Sequence, residues 1–383
     1  MTHPRPRILI ITRNLPPLVG GMERLNWHMA DELSRRADVR VIGPTGSAHR
    51  RPEQVDVAEV PLRPLWRFLL ASAWQAVRAA HAWQPDVVLA GSGLTAPPAW
   101  LAARCCRAKA AAYLHGLDIS VHHPIYRMLW LPFIRHMDSC IVNSEPTRQL
   151  ALNAGVKAEK MRTVHPGVSL PAQPQAAQAI EAFKNRHGLA GKTILLSVGR
   201  LSRRKGLLEF VQQALPLIVR ERPDAVLAVI GAAPKDALHA TAHSTESVRA
   251  AAEAAGVLEN VRFLGNVSET ELLAAYETAS LHIFPIRDIP GDPEGFGMVA
   301  IEAAAHGLPT VAFATGGVVD AVAEGQSGRL VKPGDYAALA QAALQTLAGS
   351  PAEWRAKTTA FAQGFAWPRF GQRISTALTA DLP

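Results

Sequence analysis

Short runs of consecutive apolar residues alternate along this chain with longer stretches in which apolar residues recur every three or four positions. The first run, ILII within 7–12, is followed by a loop, RNLPPLVGG, and by Met22, Leu25, Met29 and Leu33, which share one face at helical spacing. Further runs stand at 39–43 (VRVIG), 86–91 (DVVLAG), 109–115 (KAAAYLH), 139–144 (SCIVNS) and 161–167 (MRTVHPG), separated by helix-length segments. A second series opens with TILLSVGR and continues at 225–231, 260–265, 281–285, 309–313 and 327–331. Uninterrupted apolar runs suit strands buried on both faces. Strands that alternate with helices make a mostly parallel sheet covered on both sides.

Between the two series, residues 169–190 (SLPAQPQAAQAIEAFKNRHGLA) show no strand pattern and are expected to be a linker. The predicted organisation is a domain over 1–168 and a second over 191–366, each α/β and doubly wound. A final amphipathic helix, 367–383, is expected to pack back on the first domain. Two such units facing each other across a cleft would bind a ligand between them and beyond the carboxyl ends of their strands. A chain of 383 residues agrees with two cores.

Charge and cysteine usage narrow the setting. Residues 1–190 carry 23 Lys and Arg against 13 Asp and Glu, about +10 of the overall +8 and leaving the remainder near −2. Nucleic acid, an anionic membrane surface or a phosphate-bearing substrate would each answer that basic half. Cys105, Cys106 and Cys140 are few, odd in number and partly adjacent, which argues for a reducing, cytoplasmic compartment. The ILII run, closed by Thr12 and Arg13, is too short for a signal-peptide core, and Arg67 and Arg78 interrupt the other apolar stretches.

The densest chemistry lies at 288–302, DIPGDPEGFGMVAIE. Gly295 and Gly297 lead into an apolar helix, whose first N–H groups and partial positive charge suit a diphosphate. Glu294 precedes that helix and Glu302 lies about two turns along it, ~12 Å at the helical rise. Together they read as a clamp for an elongated ligand with hydroxyls at both ends. Arg200 and Lys205, in VGRLSRRKG, leave a strand end where cations can reach a diphosphate; Arg203 and Arg204 beside them allow a merely solvated basic loop. Gly20 and Gly21 open the first helix for close backbone approach. His115 and Asp118, in YLHGLDIS, stand at another strand end. The imidazole there can donate to a sugar hydroxyl or to developing negative charge, and Asp118 can orient it or accept from an acceptor hydroxyl. Over 61–83, Trp66, Leu70, Trp74 and Val77 share a face with Arg67 and Arg78 at its edge. That face suits a membrane interface, although Phe68, nearly opposite Trp66, also indicates a helix with a buried back.

These motifs carry a resemblance. VGG with its helix, YLHGLD, the V-N-S-x-x-T-R run at 142–148, HPGV, S-V-G-R-L-x-x-x-K-G, E-G-F-G-M-V-x-I-E-A, G-L-P-T-V-A, T-G-G and G-x-x-G-x-L-V at 325–331 resemble the family 4 retaining glycosyltransferases of the GT-B fold. R-x-x-x-G-D-x-E-G-F at 287–296 looks most like the phosphatidylinositol mannosyltransferase subgroup, which uses GDP-mannose, while HPGV stands where many members carry PNGV. The resemblance implies metal-independent transfer of a hexose, with no cofactor, from a nucleotide sugar to a lipid-linked or saccharide acceptor. Nucleic acid is not among the implied partners. By position, Arg200 and Lys205 would neutralise the diphosphate, and Glu294 would bind donor-sugar hydroxyls. Gly295, Phe296, Gly297, Met298 and Val299 would supply backbone N–H groups, Glu302 would hold the ribose, Gly21 would contact phosphate, and His115 would contact the sugar near its 6-position and the developing charge. The alternative reading is a nucleotide-sugar epimerase of the same two-domain architecture. A nicotinamide-dependent dehydrogenase is disfavoured because PPLVGGME lacks G-x-G-x-x-G. A glycan-binding protein without catalysis would not be expected to keep Arg200, Lys205 and Glu302 together.

Overall fold

The computed structural model describes residues 5–121, 123–232 and 244–382, so the outermost residues of the expected ranges 1–168 and 367–383 lie outside it. The chain divides into two compact units, 1–167 with 366–383, and 168–365.

The first unit holds a seven-stranded parallel sheet of β1 (Arg7–Ile11), β2 (Asp38–Pro44), β3 (Asp56–Val60), β4 (Val87–Ala90), β5 (Lys109–Leu114), β6 (Ser139–Val142) and β7 (Met161–Thr163), in the order β3-β2-β1-β4-β5-β6-β7. The strand order reverses between β1 and β4. Its central strands are sealed on both faces, with β4 and β6 buried throughout. β3 has no counterpart among the expected strands. It is an edge strand, DVAEV, interrupted by Asp56 and Glu59, so it lacks an apolar run.

The helix Leu65–Trp83 lies on this sheet through Phe68, Ser72, Ala76 and Ala80, one buried line at four-residue spacing. Phe68 therefore marks its inner side. Trp66, Leu70 and Trp74 point outward, each more than 60% exposed. The C-terminal helix Trp367–Thr379 is part of the same unit. Trp367 stacks on His28 at 4.0 Å, and its indole occupies the space that a side chain at position 167 would need.

The second unit holds a six-stranded parallel sheet of β8 (Thr193–Val198), β9 (Ala225–Ile230), β10 (Val261–Gly265), β11 (Leu281–Phe284), β12 (Thr310–Phe313) and β13 (Gly328–Val331), ordered β10-β9-β8-β11-β12-β13. Here the order reverses between β8 and β11. The expected linker at 169–190 is corrected: it contains a helix, Ala177–Arg186, whose Phe183 is buried with Leu189 against Ile194 and Tyr276. An Ala- and Gln-rich segment with few apolar anchors hides such a helix from its pattern. No helix among the described residues is long and apolar enough to cross a membrane.

Candidate active site

In the second unit the loops after β8 and β11 flank the point where strand order reverses, the place where open parallel sheets bind ligands. The loop after β8 carries Arg200 and the short turn Arg203–Lys205; the loop after β11 carries Arg287 through Gly297. They are joined by charge. Lys205 Nζ lies 2.8 Å from Glu294 Oε2, and Arg204 Nη1 donates to the same oxygen. Arg204 Nε stands 3.2 Å from Asp292 Oδ1, off the line of a hydrogen bond. The backbone N–H of Arg287 donates to the Arg204 carbonyl at 2.8 Å, and Arg287 pairs with Glu209.

Arg204 is thus no member of a solvated basic loop. Its side chain is only 13% exposed, whereas Arg203 and Arg200 face solvent. Burial alone would push the Glu294 carboxyl upward, but the Arg204 and Lys205 cations overcome it and hold the group down at about 2. Burial lowers the Lys205 ammonium, with Glu294 opposing the shift. The ammonium also lies 4.9 Å from the centre of the Phe284 ring.

Beyond Glu294 the chain enters the helix Met298–Ala305 through Gly297, which sits at φ 92°, a conformation that favours glycine. No side chain caps this helix, so its first turn remains a site for an anionic group. The T-G-G segment backs the loop closely. Gly317 N–H donates to the Glu294 carbonyl at 2.8 Å, and a Cβ at 317 would run into the Gly295 carbonyl. Phe296 is buried beneath, while Gly295, Met298 and Val299 are half-buried. Along the helix, Glu302 accepts from the Tyr276 hydroxyl at 3.1 Å, and His306 stacks on Tyr276 while pairing with Glu277 at 3.3 Å. Tyr276 and Arg204 were both absent from the sequence-based site.

In the first unit, His115 leaves the end of β5 and is 7% exposed. Its Nε2 lies 2.9 Å from the Gly91 carbonyl, which can only accept, so Nε2 carries the proton. Nδ1 meets no partner among the described residues. With Nε2 engaged by Gly91, Nδ1 is the ring nitrogen left to meet a ligand hydroxyl. The expectation that Asp118 orients the imidazole is also corrected. Asp118 Oδ2 accepts from the backbone N–H of His115 at 3.0 Å, closing the turn at Gly116, while the ring is held by Gly91 and faces Tyr113 at 5.1 Å. At Gly20 and Gly21 the first helix opens beside Glu23, which accepts from Asn14 at 2.7 Å. A phosphate approaching the Gly21 N–H would meet that carboxylate. Among the described residues no cluster of His, Cys, Asp and Glu is arranged to hold a metal ion.

Comparison with known proteins agrees with this architecture. A family model described as Glycosyl transferases group 1 matches residues 179–363, and one described as Glycosyltransferase Family 4 matches 19–171. A glycogen synthase of Mycobacterium tuberculosis is 28% identical over 97% of this chain and 93% of its own length. A GDP-mannose-dependent alpha-(1-6)-phosphatidylinositol monomannoside mannosyltransferase of Mycolicibacterium smegmatis is 27% identical over 89% of each chain. The crystal structure of Anabaena HepE in complex with UDP and glucose superposes with a TM-score of 0.78 at 21% identity, covering 99% of this chain and 100% of that one. Nothing in these likenesses supports an epimerase. The two family models between them run almost without a break from residue 19 to residue 363, and the chain belongs to the family 4 glycosyltransferases of the GT-B fold.

Proposed function

We propose that this glycosyltransferase moves a hexose, with mannose from GDP-mannose as the favoured donor, to a lipid-linked or saccharide acceptor in envelope glycan assembly. The observation that carries the reading is the cationic group after β8, placed beside an ionised Glu294 and an uncapped helix start. Departure of a nucleoside diphosphate leaves charge on its phosphates. Arg200, Lys205 and the N–H groups of 295–299 oppose that charge, the main catalytic term, and need no metal to do so. Glu294 takes donor-sugar hydroxyls, Glu302 the ribose, and His115 accepts from a sugar hydroxyl through Nδ1. Attack by the acceptor on the face that the nucleotide leaves would retain the anomeric configuration. Mannose is favoured by the 287–296 motif and by the mannosyltransferase relative.

The same reading places the enzyme in the cytoplasm, on the inner face of the membrane that holds a lipid-linked acceptor. The segment 61–83 has no acidic residue, its outward face carries Trp66, Leu70 and Trp74, and Arg78 lies over the Trp74 ring at 5.5 Å. Ile125, Met128 and Leu129 add further exposed apolar surface to this unit. Aromatic and basic side chains on one face suit an anionic bilayer surface. A donor screen tests the transfer reading. Nucleotide release from GDP-mannose should exceed that from UDP-glucose, UDP-GlcNAc and UDP-galactose and should rise with added envelope lipid. Release from none of the four would overturn it.

A further inference from the structure

We propose that Arg204 is the positioning residue for the donor sugar: it holds one oxygen of Glu294 so that the other is presented to a sugar hydroxyl. The inference rests on the transfer reading above. Both cations that reach Glu294 converge on Oε2. Oε1 accepts no hydrogen bond from any described residue, and the Glu294 side chain keeps 12% of its surface exposed. A carboxylate pinned at one oxygen has lost most of its rotational freedom before any ligand arrives, and its free oxygen has a fixed direction.

Lys205 alone does not do this. Its ammonium has three N–H donors on a flexible stem, and the same group is needed at the departing diphosphate. When it turns toward phosphate, its hold on Glu294 weakens. Arg204 has a planar fork and is fixed at three places: its carbonyl by the Arg287 N–H, its Nε beside Asp292, and its Nη1 on Glu294. It therefore keeps the loop after β11 tied to the turn after β8 whatever Lys205 does. Among the described residues the other cations that bear on the Glu294 carboxyl are Lys205 and Arg200, and Arg200 is exposed.

The test uses the full chain and two variants, Arg204→Met, which removes the charge, and Arg204→Lys, which keeps the charge but lacks the fork. Melting temperatures establish that both fold. Affinity for GDP and UDP is measured by calorimetry, and kcat and KM are measured with the best donor and with donors lacking one sugar hydroxyl each. Positioning predicts nucleoside diphosphate affinity within about twofold of the parent in both variants, with kcat/KM lower by roughly 30- to 300-fold in Arg204→Met. The penalty for deleting the hydroxyl that meets Glu294 should shrink to about threefold or less, as it should in Glu294→Gln, and Arg204→Met should add little to Glu294→Gln in the double variant. Loss of nucleotide affinity in step with kcat/KM would make Arg204 a phosphate ligand instead. Parental discrimination among the deoxy donors, or multiplicative losses in the double variant, would also overturn the proposal. Titration of the Glu294 carboxyl by carbon-13 NMR gives a readout that needs no turnover. The group should titrate near its folded value of about 2 in the parent and at higher pH in Arg204→Met, and an unchanged titration refutes the hold. A parent enzyme that releases nucleotide from no donor would sink the transfer reading, while the titration would still decide whether Arg204 holds Glu294.

Discussion

The Tyr276 hydroxyl donates to Glu302 Oε2 at 3.1 Å from a side chain that is 2% exposed, so the carboxylate assigned to the ribose is held from behind by a buried phenol. Tyr276→Phe should weaken GDP binding by about 3- to 10-fold, the scale of one hydrogen bond, and Glu302→Ala should weaken it more. Glu294→Ala should leave GDP affinity nearly unchanged and depress transfer, because the sugar loses its orienting contact. Calorimetric titration beside initial rates checks all three. Equal loss of nucleotide affinity in Glu294→Ala and Glu302→Ala would contradict the two-ended clamp.

Arg200 and Lys205 face the position assigned to the leaving diphosphate. Replacing either by Ala should remove roughly 2–4 kcal/mol of transition-state stabilisation, the scale of one preorganised electrostatic group. Single-turnover rates at saturating donor measure it. Near-parental turnover in either variant would remove that residue from the reaction.

Nε2 of His115 is committed to Gly91, which leaves Nδ1 as the nitrogen proposed to meet the substrate. Gln at this position can keep an N–H toward the Gly91 carbonyl but has no acceptor where Nδ1 stands. His115→Gln should melt within a few degrees of the parent while losing about 10²-fold or more in kcat. A variant that melts normally and transfers normally would show that the imidazole only braces the strand end.

Which of these features could be read in advance follows from their physics. Strands such as ILII and SCIV are buried on both faces, so burial writes itself as an apolar run. The edge strand DVAEV is interrupted by Asp56 and Glu59 and leaves no run to detect. Glu294, Arg200 and Lys205 stood out because they border glycine turns. Arg204 did not, since it shares a basic run with Arg203, and only the three-residue turn that ends at Lys205 sends one arginine inward and the other to solvent. Its partner lies 90 positions away, a pairing that no local pattern encodes. The contact between Asp118 and His115 has the same origin: spacing placed Asp118 near His115 but could not say whether it meets the ring or the backbone.

His28 carries a pH dependence of stability. Burial against Trp367 lowers its imidazole from 6.5 to about 4 in the folded protein, with Asp31 opposing and Arg24 and Arg35 assisting. Between those two values the unfolded chain binds a proton that the folded chain does not. Stability from this group is therefore full above 6.5 and lost as the pH falls toward 4. Urea unfolding of the parent and of His28→Phe, which keeps a ring on Trp367, should diverge across that window. Parallel curves would mean that His28 titrates alike in both states.

The outward face of the helix Leu65–Trp83 predicts reversible binding to anionic vesicles, with each basic residue near the surface adding about 1 kcal/mol. Co-sedimentation with phosphatidylglycerol vesicles should be strong at low salt and weak at high salt, and Trp66→Ser with Trp74→Ser should reduce it further. Absence of binding at low salt, or indifference to salt, would assign the face to something other than a bilayer.

The chain leaves the first unit at Gly167 and re-enters it at Ala366, and the two passages are joined where Val168 N–H donates to the Phe365 carbonyl at 2.7 Å. In the order of synthesis the second unit is an insertion within the first. A ribosome making this protein must finish the whole inserted unit before Trp367 exists to fill the space at Gly167 and to stack on His28. The first unit, although its sheet is translated first, is thus the last part of the molecule to be completed, and until then its Trp367-binding surface is open to water and to other nascent chains.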